Sequence, residues 1–293
     1  MLLAIDVGNT NTVLGLYRLA APGDPAPASL LADWRITTHR NPTVDEIGIL
    51  YRDLFAIRSI DISQVTGVAV SSVVPPLDST LRHAIELYFH VKPLFVEPGV
   101  RTGLPILTDN PSEVGADRIV NCVAALDLVR QPATNNVERS TVNVPIIVVD
   151  FGTATTFDVI SPKGEYIGGA IAPGIGISAD ALFVRAARLP RVDIRKPAKI
   201  IGTNTVDHLQ IGLYYGYIGL VDGILDRIIA ELALAHPAAS EPAKKPRIIA
   251  SGIMAHLMTP DSKHIAEIDD TLTLDGLRIL FERNRTARPR SRH

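Results

Sequence analysis

The stretch Ala4-Ile-Asp-Val-Gly-Asn-Thr-Asn-Thr12 recurs later in the same chain as Val148-Val-Asp-Phe-Gly-Thr-Ala-Thr-Thr156. The two copies align position for position, and their aspartates, Asp6 and Asp150, are 144 residues apart. In each copy an apolar run reaches an aspartate, and a turn rich in glycine and threonine leads into a second run. This pattern predicts two strand–turn–strand hairpins. A single Asp-x-Gly turn is common, but two copies spaced about a domain apart indicate a duplication.

Both turns contain the residue types that bind nucleotide phosphates. A glycine lets the backbone approach an anion closely, and successive N–H groups and threonine hydroxyls then donate to phosphate oxygens. A carboxylate repels phosphate, but it can hold a hydrated magnesium or potassium ion that binds phosphate. Two such turns facing each other would hold a polyphosphate from both sides. The alternative is that each turn is only a capped hairpin with a satisfied carboxylate.

Composition is typical of a globular protein, and the cysteine count fits a reducing cytosol without requiring one. The chain has 293 residues, of which 46% are hydrophobic, and this length indicates about two domains. Basic and acidic residues nearly balance, with a net charge of -2, so no general field attracts nucleic acid or an anionic membrane. The single cysteine excludes an internal disulfide. The most apolar stretch, at 211–221, is followed by Asp222, Asp226 and Arg227, so it predicts a buried or interface helix rather than a membrane span.

Strands alternate with helices along the first half, which favours an α/β layer fold. Thr43 and Glu46 predict a capping box at the start of a helix. Residues 131–144 and 236–246 are predicted surface insertions. The last eleven residues, 283–293, include five arginines and predict a solvated tail. Apolar runs predict strands at residues 2–6, 13–17, 34–38 and 65–74.

Six motifs then follow one another in a characteristic order. They are Asp6-Val-Gly-Asn-Thr-Asn-Thr12, Ser71-Ser-Val-Val-Pro-Pro76, Asp109-Asn-Pro-Ser-Glu-Val-Gly-Ala-Asp-Arg118, Asp150-Phe-Gly-Thr-Ala-Thr-Thr156, Gly168-Gly-Ala-Ile-Ala-Pro-Gly174 and Leu272-Thr-Leu-Asp-Gly-Leu277. Together they resemble the type III pantothenate kinases, in the superfamily of sugar kinases, actin and heat-shock chaperones. The resemblance implies an α/β fold of duplicated actin-like (ribonuclease H-like) domains, with mixed sheets flanked by helices and a cleft between the halves.

The resemblance also implies a function. That function is transfer of the γ-phosphoryl group of ATP to pantothenate, giving 4'-phosphopantothenate in the first step of coenzyme A biosynthesis. It implies Mg²⁺ with the ATP, K⁺ or NH₄⁺ as a monovalent cation, and a cytoplasmic homodimer that binds neither nucleic acid nor membrane. We expect a first domain at 1–112, a second at 113–284 with the acceptor and cation sites, and a disordered tail at 285–293. C-terminal elements can still pack back on the first domain.

Matching the motifs residue by residue implies individual roles. Asp117 matches the proton acceptor, and a positioned carboxylate can take the proton that the attacking hydroxyl loses. Asp150 matches the ligand of the monovalent cation, and Thr153 matches an ATP contact. The substrate-binding residues are Gly115, Ala116, Asp117, Arg118 and Thr205. The first phosphate loop comprises Asp6, Val7, Gly8, Asn9, Thr10, Asn11, Thr12 and Val13.

The residues alone leave alternatives open. Asp117 can simply favour a helix start through the helix dipole, and Thr205 can be only an N-cap. Thr108 stands where relatives often have tyrosine, which puts one pocket contact in doubt. Ser251 stands in a stretch where many have Thr-Gly-Gly, beside the expected adenosine edge. A phosphohydrolase of the same superfamily and a regulatory transcription accessory protein are the alternative functions.

Overall fold

The computed structural model describes residues 1–20, 28–130, 144–235 and 245–285. Within these ranges, ten strands form two five-stranded mixed sheets, and seven α-helices accompany them. The predicted insertions at 131–144 and 236–246 and the predicted tail at 285–293 lie almost entirely outside the described residues. Among the helices of these ranges, none has the length and apolarity that a membrane crossing requires.

The first sheet contains the first copy of the repeat. Its strand order is β3-β2-β1-β4-β5, with β1 antiparallel to β2 and parallel to β4. Helices α1 (Val44–Ile57) and α2 (Pro75–Phe89) belong to the same part of the fold, and the predicted capping box of Thr43 and Glu46 is present. The strands are β1 (Leu2–Val7), β2 (Asn11–Arg18), β3 (Ser29–Thr37), β4 (Gly67–Ser72) and β5 (Leu94–Phe95).

The second sheet repeats this arrangement strand for strand. Its order is β8-β7-β6-β9-β10, with β6 antiparallel to β7 and parallel to β9. The predicted duplication is therefore confirmed. The strands are β6 (Ile146–Phe151), β7 (Ala154–Ile160), β8 (Tyr166–Pro173), β9 (Arg247–Ser251) and β10 (Glu267–Ile268). The remaining helices are α3 (Ala116–Arg130), α4 (Ile175–Arg185), α5 (Thr205–Ala235), α6 (Ala255–Met258) and α7 (Leu272–Arg285).

The strand register corrects the sequence alignment of the repeat by one residue. Asp6 lies opposite Val13 in the first hairpin, whereas Asp150 lies opposite Thr156 in the second. The turn of the second hairpin is thus one residue shorter than that of the first. The structural counterpart of the buried Thr12 is therefore Thr155, which is also buried, rather than Thr156. Identical residue letters at the end of both motifs concealed this difference in turn length.

Each sheet has its own apolar core. In the first sheet, alternate residues of β1, β2 and β4 pack with side chains of α1 and α2, including Phe55 and Leu81. In the second, alternate residues of β6 and β7 pack with α5, where Tyr214, Val221 and Leu225 are buried. Of the two predicted roles for the apolar stretch of α5, core or interface, its buried residues show the core role.

The chain divides into two compact units, and α7 belongs to the first of them. Unit 1 contains Met1–Leu104, Asn110–Ala124 and Thr271–His293, and unit 2 contains Pro105–Asp109 and Ala125–Asp270. The motifs instead predict a boundary at residue 112, with α7 in the second domain but able to pack back on the first. The reason for the difference is packing, because α7 lies against β1 and β4.

Glycines make this close packing of α7 possible. A Cβ at Gly15 of β2 would lie 2.8 Å from a methyl carbon of Leu274, and one at Gly67 would enter the ring of Phe281. Gly276 of α7 faces α3, where a Cβ would overlap the Val120 carbonyl oxygen and lie 2.7 Å from its side chain. Such distances are far below van der Waals contact. A larger residue must therefore push α7 away from the sheet, at Gly15 or Gly67, or away from α3, at Gly276.

We predict that Gly276→Ala destabilises unit 1 by about 1–3 kcal/mol, the usual cost of overpacking. The matched control is Gly219→Ala, at an exposed position of α5 where a Cβ meets nothing within 4 Å. Because alanine is the better helix former, this control should be neutral or stabilising by about 0.5–1 kcal/mol. Urea unfolding of both variants measures the difference, and equal stabilities would contradict the packing role of Gly276.

Candidate active site

Asp6 is the last residue but one of β1, and its environment differs from that of the rest of the strand. It is the only half-buried residue of β1, whose other five residues are buried. In the sheet it lies beside Ser71 on β4 and opposite Val13 on β2. Ser71 is fully buried, and its hydroxyl oxygen has no hydrogen-bond partner. The sequence analysis quoted Ser71 within a motif but assigned it no role.

The loop that follows Asp6 is braced from one side by Thr38. The Thr38 N–H donates to the carbonyl of Thr10 at 2.9 Å, and its hydroxyl donates to the carbonyl of Gly8 at 2.7 Å. The hydroxyls of Thr12 and Thr38 are 2.9 Å apart. Gly8 also donates its N–H to Asn11 at 3.0 Å, which closes the turn. The loop is therefore held in shape by its own backbone and by the end of β3.

The turn in unit 2 is braced by a backbone hydrogen bond that corresponds to the one from Thr38 to Thr10. The N–H of Gly174, which follows β8, donates to the carbonyl of Thr153 at 3.1 Å. No side chain fits at this position, because a Cβ on Gly174 would lie 2.6 Å from the Gly152 carbonyl and still closer to that of Thr153. Gly152 and Thr153 are exposed, so this turn presents its backbone to solvent.

Asp150, at the base of the second turn, is half-buried and enclosed by close neighbours. It lies beside Ser251 on β9 and opposite Thr156 on β7. Gly252 has a φ of 94°, and a Cβ there would lie 2.5 Å from the Asp150 carboxylate. Ser251 donates its hydroxyl hydrogen to the carbonyl of Asp269 at 2.9 Å. The serine hydroxyl thus ties β9 to the end of β10.

Tyr217 of α5 supports the second turn from the apolar side of the sheet. Its hydroxyl contacts the hydroxyl of Thr155, and its ring lies near that of Phe151. Burial is the main cause that raises the pKa of Tyr217, and the negative charge of Asp150 raises it further. Tyr217 is therefore a neutral phenol at physiological pH. No sequence signal points to Tyr217, since a tyrosine in an apolar helix normally indicates core packing.

Asp117 lies in the first turn of α3, in unit 1. Its Oδ1 accepts a hydrogen bond from the N–H of Arg118 at 2.8 Å, as an acidic residue at a helix start commonly does. A Cβ on Gly115 would lie 2.6 Å from that oxygen, so the glycine leaves room for the carboxylate. The contact fixes the direction of the Asp117 side chain. Asp117 thus does stabilise the start of α3, and this does not prevent its carboxylate from also acting as a base.

Thr205 is the exposed first residue of α5, in unit 2. The cap of this helix is Asn204, whose side chain accepts from the N–H of Asp207 at 2.9 Å and donates to its carboxylate at 2.9 Å. The interpretation of Thr205 as an N-cap is therefore wrong. Asp150, Thr153 and Thr205 belong to unit 2, whereas Asp6, its loop and Asp117 belong to unit 1.

The oxygen donors of the two turns fit a cation that is also bound by phosphate oxygens. Each turn offers one half-buried carboxylate beside a serine on the neighbouring parallel strand. In the parts of the chain that the structure describes, no group of three or more His, Cys, Asp or Glu side chains is arranged to hold a metal. Magnesium is usually bound through one or two carboxylates, substrate phosphates and water. The hard oxygen donors of the two turns suit that chemistry.

Comparison with known proteins identifies the family. A profile described as type III pantothenate kinase matches residues 2–227. Relatives with that name include those of Koribacter versatilis, 53% identical with 100% of this chain and 99% of that protein covered, and Acidobacterium capsulatum, 53% identical with 99% and 98% covered. A third, from Myxococcus xanthus, is 52% identical with 97% and 99% covered. The chain belongs to the type III pantothenate kinase family.

The protein is therefore a phosphotransferase, as its motifs predicted. It phosphorylates pantothenate in the first step of coenzyme A biosynthesis, and as a kinase it uses ATP with a divalent metal. The phosphohydrolase and regulatory alternatives are not supported by this family membership.

Solved structures confirm the fold class alone. A Campylobacter jejuni protein described as a Baf family transcriptional activator superposes with a TM-score of 0.56 at 16% identity, covering 97% of this chain and 99% of its own. A Sinorhizobium meliloti protein described as a 2-dehydro-3-deoxygalactonokinase gives 0.51 at 9% identity, with 97% and 99% covered. The two mixed sheets thus belong to the actin-like α/β folds that also contain sugar kinases.

We predict that Gly174→Ala distorts the second turn and lowers kcat/KM for ATP by about 10²-fold, since displacement of about 1 Å in a site can cost that much. The control is Gly176→Ala, two residues further along, where a Cβ meets nothing within 4 Å. It should retain activity within about twofold, because it changes no contact of the turn. Equal activities in steady-state assays of the two folded variants would show that the turn does not depend on Gly174.

Proposed function

We propose that the kinase transfers the γ-phosphoryl group directly to the primary hydroxyl of pantothenate, without a phospho-enzyme, and that Asp117 accepts the proton. The observation that carries this role is the fixed direction of the Asp117 carboxylate, held by the Arg118 N–H and given room by Gly115. A base must be positioned before it can act on a bound hydroxyl. Positioning and charge stabilisation then account for most of the rate.

Arg118 and Thr205, with Gly115 and Ala116, bind the acceptor in this proposal. Pantothenate has a carboxylate, and an arginine side chain can pair with it through two parallel hydrogen bonds. Thr205 is exposed and is not needed as the cap of α5, because Asn204 has that role. At Thr205 these observations favour a substrate contact over a purely structural role.

The loop from Asp6 to Val13 and the turn with Thr153 hold the phosphates of ATP. Asn9 and Thr10 in the first turn, and Gly152 and Thr153 in the second, are exposed, so a phosphate can approach the backbone of each turn from solvent. A divalent cation, here Mg²⁺, supplies positive charge that offsets the charge of the phosphates when it is bound with ATP. Asp6 orients it through oxygen ligation. Asp150 holds the monovalent cation, K⁺ or NH₄⁺.

The kinase acts in the cytoplasm as a homodimer in this proposal, and it needs no nucleic-acid or membrane partner. Support for the dimer comes from α4, which exposes a run of large apolar side chains to solvent. They are Ile177, Leu182, Phe183 and Val184. Exposed apolar patches of this kind are typical of interaction surfaces. A monomer in sedimentation equilibrium at micromolar concentration would contradict the dimer.

We predict that Asp117→Asn lowers kcat by about 10² or more, the usual effect of removing a general base. The variant keeps the size of the side chain and an oxygen that can accept from Arg118. Asp127→Asn, on the same helix and without an assigned role, is the matched control and should keep near-normal kcat. A loss below tenfold in folded Asp117→Asn would remove Asp117 from the role of base.

A coupled assay with ATP, magnesium and pantothenate tests the reaction and the cation together. We expect phosphopantothenate to form in potassium and barely in sodium, and Asp150→Ala to abolish this difference because it removes the cation's carboxylate. An unchanged potassium curve in Asp150→Ala would reject the cation role of Asp150. Consumption of ATP that does not depend on pantothenate would instead indicate a hydrolase.

A further inference from the structure

A buried carboxylate lies near Asp150 and has no role in the reaction described so far. Asp158 is in the middle of β7 and is fully buried. The hydroxyl of Tyr166 donates to its Oδ1 at 3.0 Å, and the hydroxyl of Thr156 donates to its Oδ2 at 3.1 Å. Burial of a charged group is costly even when hydrogen bonds satisfy it. A carboxylate at position 158 therefore needs an explanation other than core packing.

The duplicated fold provides an internal comparison. At the corresponding positions of β2, unit 1 has Gly15 in place of Asp158 and Val13 in place of Thr156, according to the strand registers. Gly15 is packed against Leu274 of α7, without any polar side chain of its own. The same hairpin thus folds with apolar residues at both positions. The hydroxyl–carboxylate pair of Thr156 and Asp158 is a special feature of the unit that contains Asp150.

The hydrogen bond fixes the polarity of the Thr156 hydroxyl. A threonine hydroxyl has one hydrogen and two lone pairs, and here the hydrogen is donated to Asp158. Thr156 is also the direct cross-strand partner of Asp150, so both side chains lie on one face of the sheet, opposite the face that packs with α5. Side chains of such partners have Cβ atoms about 4.5–5.5 Å apart. The threonine oxygen therefore presents lone pairs, not a hydrogen, toward the side of Asp150.

We infer that Asp158 is a positioning residue, which holds the Thr156 hydroxyl so that its oxygen joins the Asp150 carboxylate in binding a cation. Two neighbouring oxygens without a hydrogen between them attract a cation and repel a phosphate oxygen. Beside Asp6 the corresponding residue is Val13, which offers no such oxygen. The inference rests on the proposed cation role of Asp150, and it explains why the second turn rather than the first binds the monovalent ion.

The test begins with Thr156. Thr156→Val copies the residue that unit 1 has at this position, so it preserves the shape of the hairpin and removes only the oxygen. It should raise the potassium concentration for half-maximal activity by about 10–100-fold, the usual range for loss of a ligand-supporting group. At saturating potassium, kcat should change little. Thr156→Ser, which restores the hydroxyl, should return the half-maximal concentration to within about threefold of the wild-type value.

A second measurement does not use catalysis. Potassium that binds the folded protein raises its melting temperature above that in an equal concentration of sodium. Thr156→Val should lose most of this difference between the two salts, and Thr156→Ser should keep it. Ser161→Ala is the matched control, because it removes another hydroxyl–carboxylate bond, to Glu165 at 2.8 Å, from the far end of the same hairpin. The control should lower the melting temperature in both salts and leave their difference unchanged.

A double-mutant cycle then tests whether Asp158 acts through Thr156. Asp158→Ala should raise the half-maximal potassium concentration, and the combination with Thr156→Val should be no worse than Thr156→Val alone. Asp158→Asn, which keeps the side-chain volume, replaces the alanine variant if that one does not fold. Additive effects in the cycle would overturn the positioning role of Asp158.

The outcomes separate this inference from the proposed function. If the wild-type protein responds to potassium and Asp150→Ala does not, but Thr156→Val behaves like wild type, then the inference is wrong and the cation role of Asp150 remains. If the wild-type protein does not distinguish potassium from sodium in activity or in melting temperature, then both fail. A shift in Ser161→Ala equal to that in Thr156→Val would also overturn the inference, because it would indicate general destabilisation.

Discussion

One backbone hydrogen bond shapes both turns, and the rest of each site depends on it. The residue after the third strand of each sheet donates its N–H to a carbonyl within the turn, Thr38 to Thr10 at 2.9 Å and Gly174 to Thr153 at 3.1 Å. This bond uses a turn carbonyl, so the carbonyl does not point toward a bound anion. The turn therefore has its shape before any ligand binds, whereas a loop without this brace would have to become ordered on binding.

The two units brace this shared turn with different side chains. In unit 1 the donor is Thr38, whose hydroxyl also reaches the Gly8 carbonyl and Thr12. In unit 2 the donor is a glycine, because α4 begins directly after it and the turn leaves no room for a Cβ. The missing hydroxyl is supplied from a distant part of the chain by Tyr217 of α5. The two turns have equivalent backbones, but side chains from unrelated parts of the fold hold them in place.

The sequence predicted the fold well because periodicity and turn residues report local structure directly. The hairpins, the capping box at Thr43 and the duplicated aspartates followed from such signals. The structure differed where the outcome depends on contacts between distant residues. The one-residue difference between the turns is visible only in strand pairing, and α7 joins unit 1 because Gly15 and Gly67 admit it. The cap of α5 shifted by one residue, since Asn204 and Thr205 are both good caps and only the geometry decides. The individual site roles remain predictions.

In the proposed function, the way the turns are built also affects how the kinase would bind magnesium. Among the described residues, each turn contributes a single aspartate, and no multi-carboxylate cage occurs. A magnesium ion held by one carboxylate and water is bound weakly, and phosphate oxygens of ATP must complete its coordination. Metal and nucleotide therefore bind together, each raising the affinity for the other. Each aspartate is only half-buried, and this lowers the cost of keeping its charge in the enzyme before substrate binds.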